Sequence, residues 1–244
     1  MTETFKYPRT AHLDWSLSLM NDDRRIPSYE GLMGKEVVVT EKYDGENTSM
    51  YADVSHARSM DSRHHVSRDW AKMFHGQIKH LFREAAVLLW GDGDREDELR
   101  AVVENTYAKH SIWYRRETGN ALPSFCMGLS VWDRNQCLSW DETLMVFELL
   151  GILPARVLYR GKWDEEWLRE EAKRQDPTLI EGYVVRVTDR IPFERWFMPA
   201  GKYVRAKHVN TSTHWMTADV VPNEEMPPEE LEAILPKLKA GIPY

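Results

Sequence analysis

The alternation of hydrophobic and polar positions predicts a chain that mixes strands and helices. The β-branched run in "EVVVTEKY" (36–43) predicts a strand that ends at the turn residues Asp44 and Gly45, so Lys42 stands near a strand end. "NTSMYADVSHARS" (47–59) predicts a second strand, and residues 36–59 are expected to form a hairpin around this turn. Apolar residues recur at spacings of three and four further on, which predicts an amphipathic helix over roughly residues 68–90.

The rest of the chain continues this mixed pattern. "FCMGLSVWD" (125–133) and "GYVVRV" (182–187) predict strands, and the polar run 91–98 predicts a solvated loop. Ser139 and Glu142 have the spacing of a capping box, and the helix that they open is expected to stop at Gly151. Residues 164–177 predict a charged surface helix, and residues 226–244 one short terminal helix. The fold class indicated is α+β, with antiparallel sheet and helices outside it.

Composition and charge narrow the classes of function. The chain has 244 residues, 42% of them hydrophobic, which is enough for a substantial core. There is no apolar run of eighteen residues and no apolar leader, so we expect a cytoplasmic protein without a membrane partner. Cys126 and Cys137 lack zinc or disulfide spacing. A net charge of −7 argues against coating nucleic acid by bulk electrostatics, but leaves a local basic groove open.

The stretch "EKYDGEN" (41–47) is the first candidate for chemistry. A K-x-D-G motif alone is weak, because a solvated lysine on an edge strand would look the same. Five further segments follow it in a fixed order: "ARS" (57–59), "VVENTYAKHS" (102–111), "LSVWDR" (129–134), "IEGYVVRV" (180–187) and "KYVRAKH" (202–208). The order and nature of these segments strengthen the case for Lys42.

The series resembles the ordered motifs of the covalent nucleotidyltransferase superfamily, which holds ATP-dependent DNA ligases, RNA ligases and GTP-using capping enzymes. "EGYVV" and the Asn two places after Gly45 resemble the branch of phage RNA ligase 2 and the RNA-editing ligases. The resemblance covers roughly residues 35–210. It implies a nucleotidyltransferase domain (an ATP-grasp-like ligase adenylation domain) with antiparallel sheets flanked by helices, and an ATP-dependent RNA ligase that uses Mg²⁺ or Mn²⁺.

The resemblance makes Lys42 the nucleophile that attacks the α-phosphate of ATP and becomes lysyl-AMP. At neutral pH a free lysine amine is almost entirely protonated, because its pKa is about 10.4. Neighbouring cations would favour the neutral, nucleophilic form, and we expect Arg205, Lys207 and a metal held by Glu181 to supply that charge. The same cations would neutralise charge on the phosphates during transfer.

The resemblance also assigns roles around the nucleotide. Glu41 would read the adenine amino group, Glu104 the ribose hydroxyls, and Trp132 would stack on the adenine. Asn47 would help to place phosphate, and Arg58 would contact the ribose and the RNA end, with Arg63 as a rival for that role. Arg205 and Lys207 would grip the phosphates, with Lys202 as a competitor. The segments "YPRTAHL" (7–13) and "YAKHS" (107–111) are polar enough to approach the site.

Each of these assignments has an ordinary structural alternative. Glu104 could be a surface carboxylate, Trp132 a core residue, and Glu181 part of a solvated turn. Arg205 and Lys207 alternate along the chain, as residues on one exposed strand face also would. Val103 replaces the usual glycine before Glu104, and an arginine stands where the family has the first of two lysines.

The number of residues after the last motif bears on which kind of nucleotidyltransferase the chain resembles. Only about 35 residues follow the last motif, so we expect residues 1–210 to form the nucleotidyltransferase domain and 211–244 a short C-terminal extension, with no OB domain. RNA ends would then be held by the catalytic domain, by the terminal helix or by a partner protein. The alternatives are a GTP-using guanylyltransferase and a non-catalytic nucleotide-binding or nucleic-acid-binding module.

Overall fold

The structure, a computed structural model, describes residues 2–19, 23–60, 64–206 and 219–244. It combines two sheets with helices packed on them. The described strands are β1 Ala11–His12, β2 Glu36–Lys42, β3 Glu46–Met50, β4 Ser55–Ala57, β5 Leu99–Asn105, β6 Cys126–Asp133, β7 Gln136–Cys137, β8 Leu153–Pro154, β9 Val157–Lys162, β10 Gly182–Val187, β11 Ile191–Pro192 and β12 Ala200–Val204. The described helices are α1 Asp69–Ile78, α2 Phe82–Trp90, α3 Trp140–Leu150, α4 Glu165–Arg174 and α5 Pro228–Ala240. The mixed architecture expected from the sequence is confirmed.

The first sheet has the strand order β1-β12-β10-β2-β9, and the second has β11-β7-β6-β5-β3-β4 with β8 beside β6. The strands pair antiparallel except for β1 with β12 and β6 with β8, which are parallel. Strand β10 matches the predicted "GYVVRV" run from end to end. In β2, Val37, Val38 and Val39 are all fully buried, because both faces of this central strand are covered.

The predicted hairpin over residues 36–59 is wrong. Strand β2 pairs with β9 and β10 in the first sheet, whereas β3 pairs with β4 and β5 in the second. The turn at Asp44 and Gly45 therefore carries the chain from one sheet to the other. Two strands joined by a short turn need not pair when each finds a better partner elsewhere, since pairing depends on side-chain packing across the fold.

The helices follow the sequence more closely. The amphipathic pattern predicted over residues 68–90 forms two helices, α1 and α2, joined by a 3-10 turn at Lys79–Leu81. The predicted loop 91–98 contains a 3-10 helix, Gly93–Glu98. In α3, Ser139 and Glu142 form the predicted capping box, and Gly151 ends the helix with a φ of 68°.

The cores lie on the faces of the sheets. Helices α1, α2 and α3 cover one face of the second sheet, where Phe82, Val103 and Phe147 are fully buried. A second cluster joins Val39 and Val185 of the first sheet to Leu168 of α4 and also takes in β5 and β6 residues. Helix α5 ends at Gly241, next to Leu144 and Trp140 of α3. The division into domains at residue 210 stays a prediction.

Candidate active site

A cavity of about 660 Å³ lies between the two sheets. Lys42, Val184 and Lys202 line it from the first sheet, and Asn47 and Glu104 from the second. The wall also includes the N-terminal segment from Lys6 to Thr10. Most of the predicted site residues thus meet in one place, although they are spread over the chain from residue 41 to residue 202.

Lys42, which lines this cavity, forms an ion pair with Glu181. The Lys42 Nζ atom donates to Glu181 Oε2 at 2.6 Å, and the side chains are 22% and 1% exposed respectively. Gly182, the residue after Glu181, lies opposite Lys42 in the antiparallel register of β10 and β2. Its φ of 153° brings its backbone so close to Tyr203 that a Cβ would lie 2.0 Å from the Tyr203 carbonyl oxygen. The Glu-Gly pair of the sequence motif therefore fixes the position of the carboxylate.

The charge state of Lys42 differs from the expectation. Burial alone lowers the pKa of Lys42, but attraction to Glu181, Glu104 and Asp44 outweighs burial, so its pKa lies above the usual value. This direction is opposite to the one that the expected cations would produce. Of those cations, Lys207 lies outside the described residues, so the hypothesis stays a prediction.

Glu104 on β5 lies directly opposite Asn47 on β3 in the antiparallel pairing of these two strands. Burial raises the pKa of Glu104 to about 8; the Lys42 ammonium lowers it, while the negative charges of Glu181 and Asp44 raise it further. Gly45 lies close to this carboxylate, and a Cβ there would lie 2.4 Å from the Asn105 carbonyl oxygen. The surface-carboxylate alternative for Glu104 is wrong, because only 9% of the residue is exposed.

Glu41 also lines the cavity and is 8% exposed. Burial raises its pKa to about 7, and the guanidinium of Arg156, 3.9 Å away, opposes that rise. Burial therefore favours the protonated form of this carboxyl more than water would. Such a group can accept a hydrogen bond from an amino group when it is ionised.

The turn after Lys42 is held by Asp44. Its Oδ2 atom accepts hydrogen bonds from the Ser111 amide at 2.7 Å, the Ser111 hydroxyl at 2.6 Å and the Ile112 amide at 2.7 Å. Asp44 is 5% exposed, so these bonds satisfy a carboxylate that water hardly reaches. This role agrees with the function of fixing the turn that the sequence suggested for the motif.

Asn47 and Arg58 lie side by side on the cavity wall. The Arg58 amide donates to the Asn47 carbonyl at 2.9 Å, and the Arg58 Nε atom donates to the Tyr7 carbonyl at 3.4 Å. Arg63, the rival of Arg58, lies outside the described residues. Arg58 is thus one cation placed where phosphate could be bound.

Lys202, not Arg205, lines the cavity from the last motif. It lies opposite Val184 in β10, and burial, together with the positive charge of Lys42, lowers its pKa. Arg205 follows β12, and its guanidinium donates to Ser111 Oγ at 3.4 Å. Arg205 does not line the cavity, and its predicted grip on the phosphates stays a prediction. Lys207 lies outside the described residues.

Trp132 does not reach the cavity. It is fully buried, its indole N–H donates to Ser130 Oγ at 2.9 Å, and its ring packs against Trp196 with centroids 5.1 Å apart. The structure corrects the assignment of adenine stacking and bears out the core alternative for this residue. Leu129, three positions earlier on β6, lines the cavity instead and contributes an apolar wall together with Val184.

Sequence reasoning missed several residues of the wall. Arg68, in a 3-10 helix, makes a two-pronged ion pair with Glu46, with Nε 2.6 Å from Oε2. Asp23 lies 3.1 Å from Nε2 of the buried His12 and 3.5 Å from Nζ of Lys202. The polar segment "YPRTAHL" contributes Tyr7 to Thr10 to the cavity wall, and the segment "YAKHS" contributes His110. No local spacing distinguishes these residues from surface ones.

The site therefore gathers cations, buried carboxylates and an apolar wall, which is chemistry suited to a phosphate-bearing ligand with a base. Residues 35–207 match the family model described as RNA ligase, and the chain belongs to the RNA ligase family. No curated protein matches the chain.

Solved structures share its fold. An archaeal ATP-dependent RNA ligase is similar at 14% identity with a TM-score of 0.56, covering 83% of this chain and 48% of its own. A putative ATP-dependent DNA ligase from Aquifex aeolicus is similar at 17% identity with a TM-score of 0.50, covering 82% of this chain and 50% of its own. The chain spans about half the length of these two proteins.

In residues 2–19, 23–60, 64–206 and 219–244, no group of three or more His, Cys, Asp or Glu side chains is arranged to hold a metal ion. Across the same part of the chain, no helix combines the length and hydropathy needed to cross a bilayer.

Proposed function

We propose that this chain is an ATP-dependent RNA ligase that seals 5′-phosphate and 3′-hydroxyl RNA ends through a lysyl-AMP on Lys42 and an RNA-adenylate intermediate. The observation that carries the proposal is the 2.6 Å contact between Lys42 and Glu181 in a cavity that also holds Glu104 and Lys202. Family membership supports the ligase class, and the cavity supports the place of the chemistry.

The first step needs a neutral lysine. The attraction of Glu181 raises the pKa of Lys42, so this attraction has to be weakened before the ammonium can release its proton to water. The freed amine then attacks the α-phosphorus, the bond to the bridging oxygen of the β-phosphate breaks, and pyrophosphate leaves. The second step transfers AMP to the RNA 5′-phosphate and returns the amine.

The carboxylates fit a divalent cation. Glu181 and Glu104 offer hard oxygen donors, and burial beside other negative charge makes a cation favourable there. Mg²⁺ usually takes one or two carboxylates and completes its shell with phosphate oxygens and water. When bound, the metal would neutralise charge on the phosphates, and it would weaken the electrostatic attraction between Glu181 and Lys42.

The other residues position the nucleotide. Leu129 and Val184 offer the base an apolar wall, and Glu41 in its ionised form accepts from an amino group such as that of adenine. Lys202, Arg58 and Asn47 lie where phosphate and ribose oxygens would be bound. The cytoplasmic location, a role in RNA repair and a partner protein remain predictions from the sequence.

The direct test is the intact mass of the protein after incubation with Mg²⁺ or Mn²⁺ and either ATP or GTP, with the adduct mapped by peptide sequencing. We expect a gain of one AMP on Lys42 with ATP alone, and none in Lys42→Arg, which keeps the positive charge. An adduct with GMP would make the chain a guanylyltransferase. The absence of any adduct would favour the binding module.

A further inference from the structure

A second groove opens beside the cavity and is not accounted for by the nucleotide. It has a volume of about 570 Å³ and is lined by Arg9, Thr10, Asp23, Arg24, Arg25 and Phe197, among others. Arg9, Thr10 and Asp23 line both the cavity and this groove, so the two are continuous. We infer that this groove, called here the arginine groove, binds the single-stranded RNA segment next to the end that is being sealed; the inference rests on the proposed function.

The charge of the groove is opposite to that of the chain. Three arginines and a single aspartate line it, whereas the whole protein carries a net charge of −7. Arg24 is exposed, and Arg9 exposes 45% of its side chain while its NH1 atom lies 3.8 Å from Asp23. Arg25 instead donates to the Leu13 carbonyl at 3.0 Å and to Asp14, so it shapes the wall. A local concentration of arginine attracts a phosphate backbone even on an acidic protein.

Phe197 gives the groove a surface on which a base can stack. Its side chain is 49% exposed, although the next residue towards the N-terminus, Trp196, is buried against Trp132 and Tyr7. The loop is held from the other side as well, because Gly31 approaches so closely that a Cβ would lie 2.8 Å from the Met198 carbonyl oxygen. An exposed aromatic ring on a fixed loop, beside arginines, is typical of surfaces that bind single strands.

The groove joins the cavity at a point close to Lys202. Asp23 Oδ1 lies 3.5 Å from the Nζ atom of Lys202, which lines the cavity together with Lys42, and the positive charge of Lys42 lowers the pKa of Lys202. A strand lying in the groove would therefore present its terminal phosphate to the two lysines. Pyrophosphate could use the arginines but has no base to stack on Phe197, so the aromatic residue favours a strand over the leaving group.

The test measures two quantities on the same variants of the full chain. Binding of a fluorescent single-stranded RNA with a 5′-phosphate is followed by anisotropy at several salt concentrations, and lysyl-AMP formation is followed by intact mass with ATP and Mg²⁺. We expect Phe197→Ala to weaken RNA binding by at least about fivefold without changing the salt dependence, because it removes stacking. Arg24→Ala should lower the slope of log K against log salt by about 0.7, because it removes one phosphate contact.

Matched controls are Met73→Ala and Arg83→Ala, which are exposed residues of α1 and α2 away from both cavities. These should bind RNA as the wild type does, and all four variants should form lysyl-AMP at the wild-type rate. Phe197→Leu checks that stacking, and not apolar packing of the loop, carries the effect, since it should weaken binding as Phe197→Ala does. Thermal unfolding establishes that each variant is folded.

Three outcomes would overturn the inference: unchanged RNA binding in Phe197→Ala and Arg24→Ala, equal loss in the controls, or an equal loss of lysyl-AMP formation in the groove variants. The last would make the groove part of the triphosphate site. A wild-type protein that binds RNA through the groove but forms no adduct would instead contradict only the proposed function.

Discussion

The Nζ atom of Lys42 lies 2.6 Å from Oε2 of Glu181, and Glu181 is almost fully buried while Lys42 retains 22% exposure. The pair joins strand β2 to the residue just before β10. The sequence places Lys42 near a strand end, where the replacement of a lysine ordinarily costs little stability. The contact shows otherwise, because removing the ammonium leaves a carboxylate buried without its counter-charge.

Lys42→Ala should therefore abolish the adduct and also lower the free energy of unfolding at pH 7, by about 3 kcal/mol. Denaturant unfolding measures this cost. Adding Glu181→Gln to the same chain should restore most of the loss, since the stranded charge is then gone. If the single variant is as stable as the wild type, the ion pair is not a structural contact.

Glu181→Gln by itself should raise the Mg²⁺ concentration needed for half-maximal lysyl-AMP formation by about tenfold or more, because one hard oxygen charge is lost. It should also lower the pKa of Lys42, which loses its strongest attraction. A titration of adduct formation against Mg²⁺ at several pH values separates the two effects. An unchanged Mg²⁺ requirement would remove Glu181 from the metal site.

The free energy of unfolding should depend on pH because the Glu41 carboxyl has a different pKa in the folded and unfolded states. Its pKa is raised to about 7 in the folded protein from 4.5, so the folded state holds the proton more tightly than the unfolded state. The stability that this proton provides is full below pH 4.5 and is lost as pH rises to about 7. Glu41→Gln, which stays neutral, should gain about 1–3 kcal/mol relative to the wild type between pH 5 and pH 8. A relative stability that does not change with pH would contradict the raised pKa.

Trp132 and Leu129 lie on the same strand, β6, but Trp132 belongs to the core and Leu129 lines the cavity. Trp132→Ala should cost about 3–5 kcal/mol of stability, because the ring is fully buried among aromatic residues. Where that variant is still folded, it should need no more ATP for adduct formation than the wild type. Leu129→Ala should instead raise the ATP requirement by about tenfold. If Trp132→Ala raises the ATP requirement and Leu129→Ala does not, Trp132 is the residue that contacts the adenine.

Local patterns were enough for much of the fold. The capping box of Ser139 and Glu142, the stop at Gly151 and the strand 182–187 all follow from interactions within a few residues, and all are as predicted. The ordered motifs also pointed to Glu41, Asn47 and Glu104, and the structure places all three on the wall of the cavity that Lys42 lines. The family match then placed the chain among RNA ligases.

The sequence by itself determined which residue types the site would contain and the places of strands β2 and β10 and of helix α3. Only the tertiary structure decided that β2 and β3 enter different sheets, since strand pairing is chosen among distant partners. It also decided that Leu129 and not Trp132 reaches the cavity, because the direction of a side chain depends on what packs around the strand. The charge of Lys42 depends on Glu181, a residue 139 positions away that only folding brings within hydrogen-bonding distance.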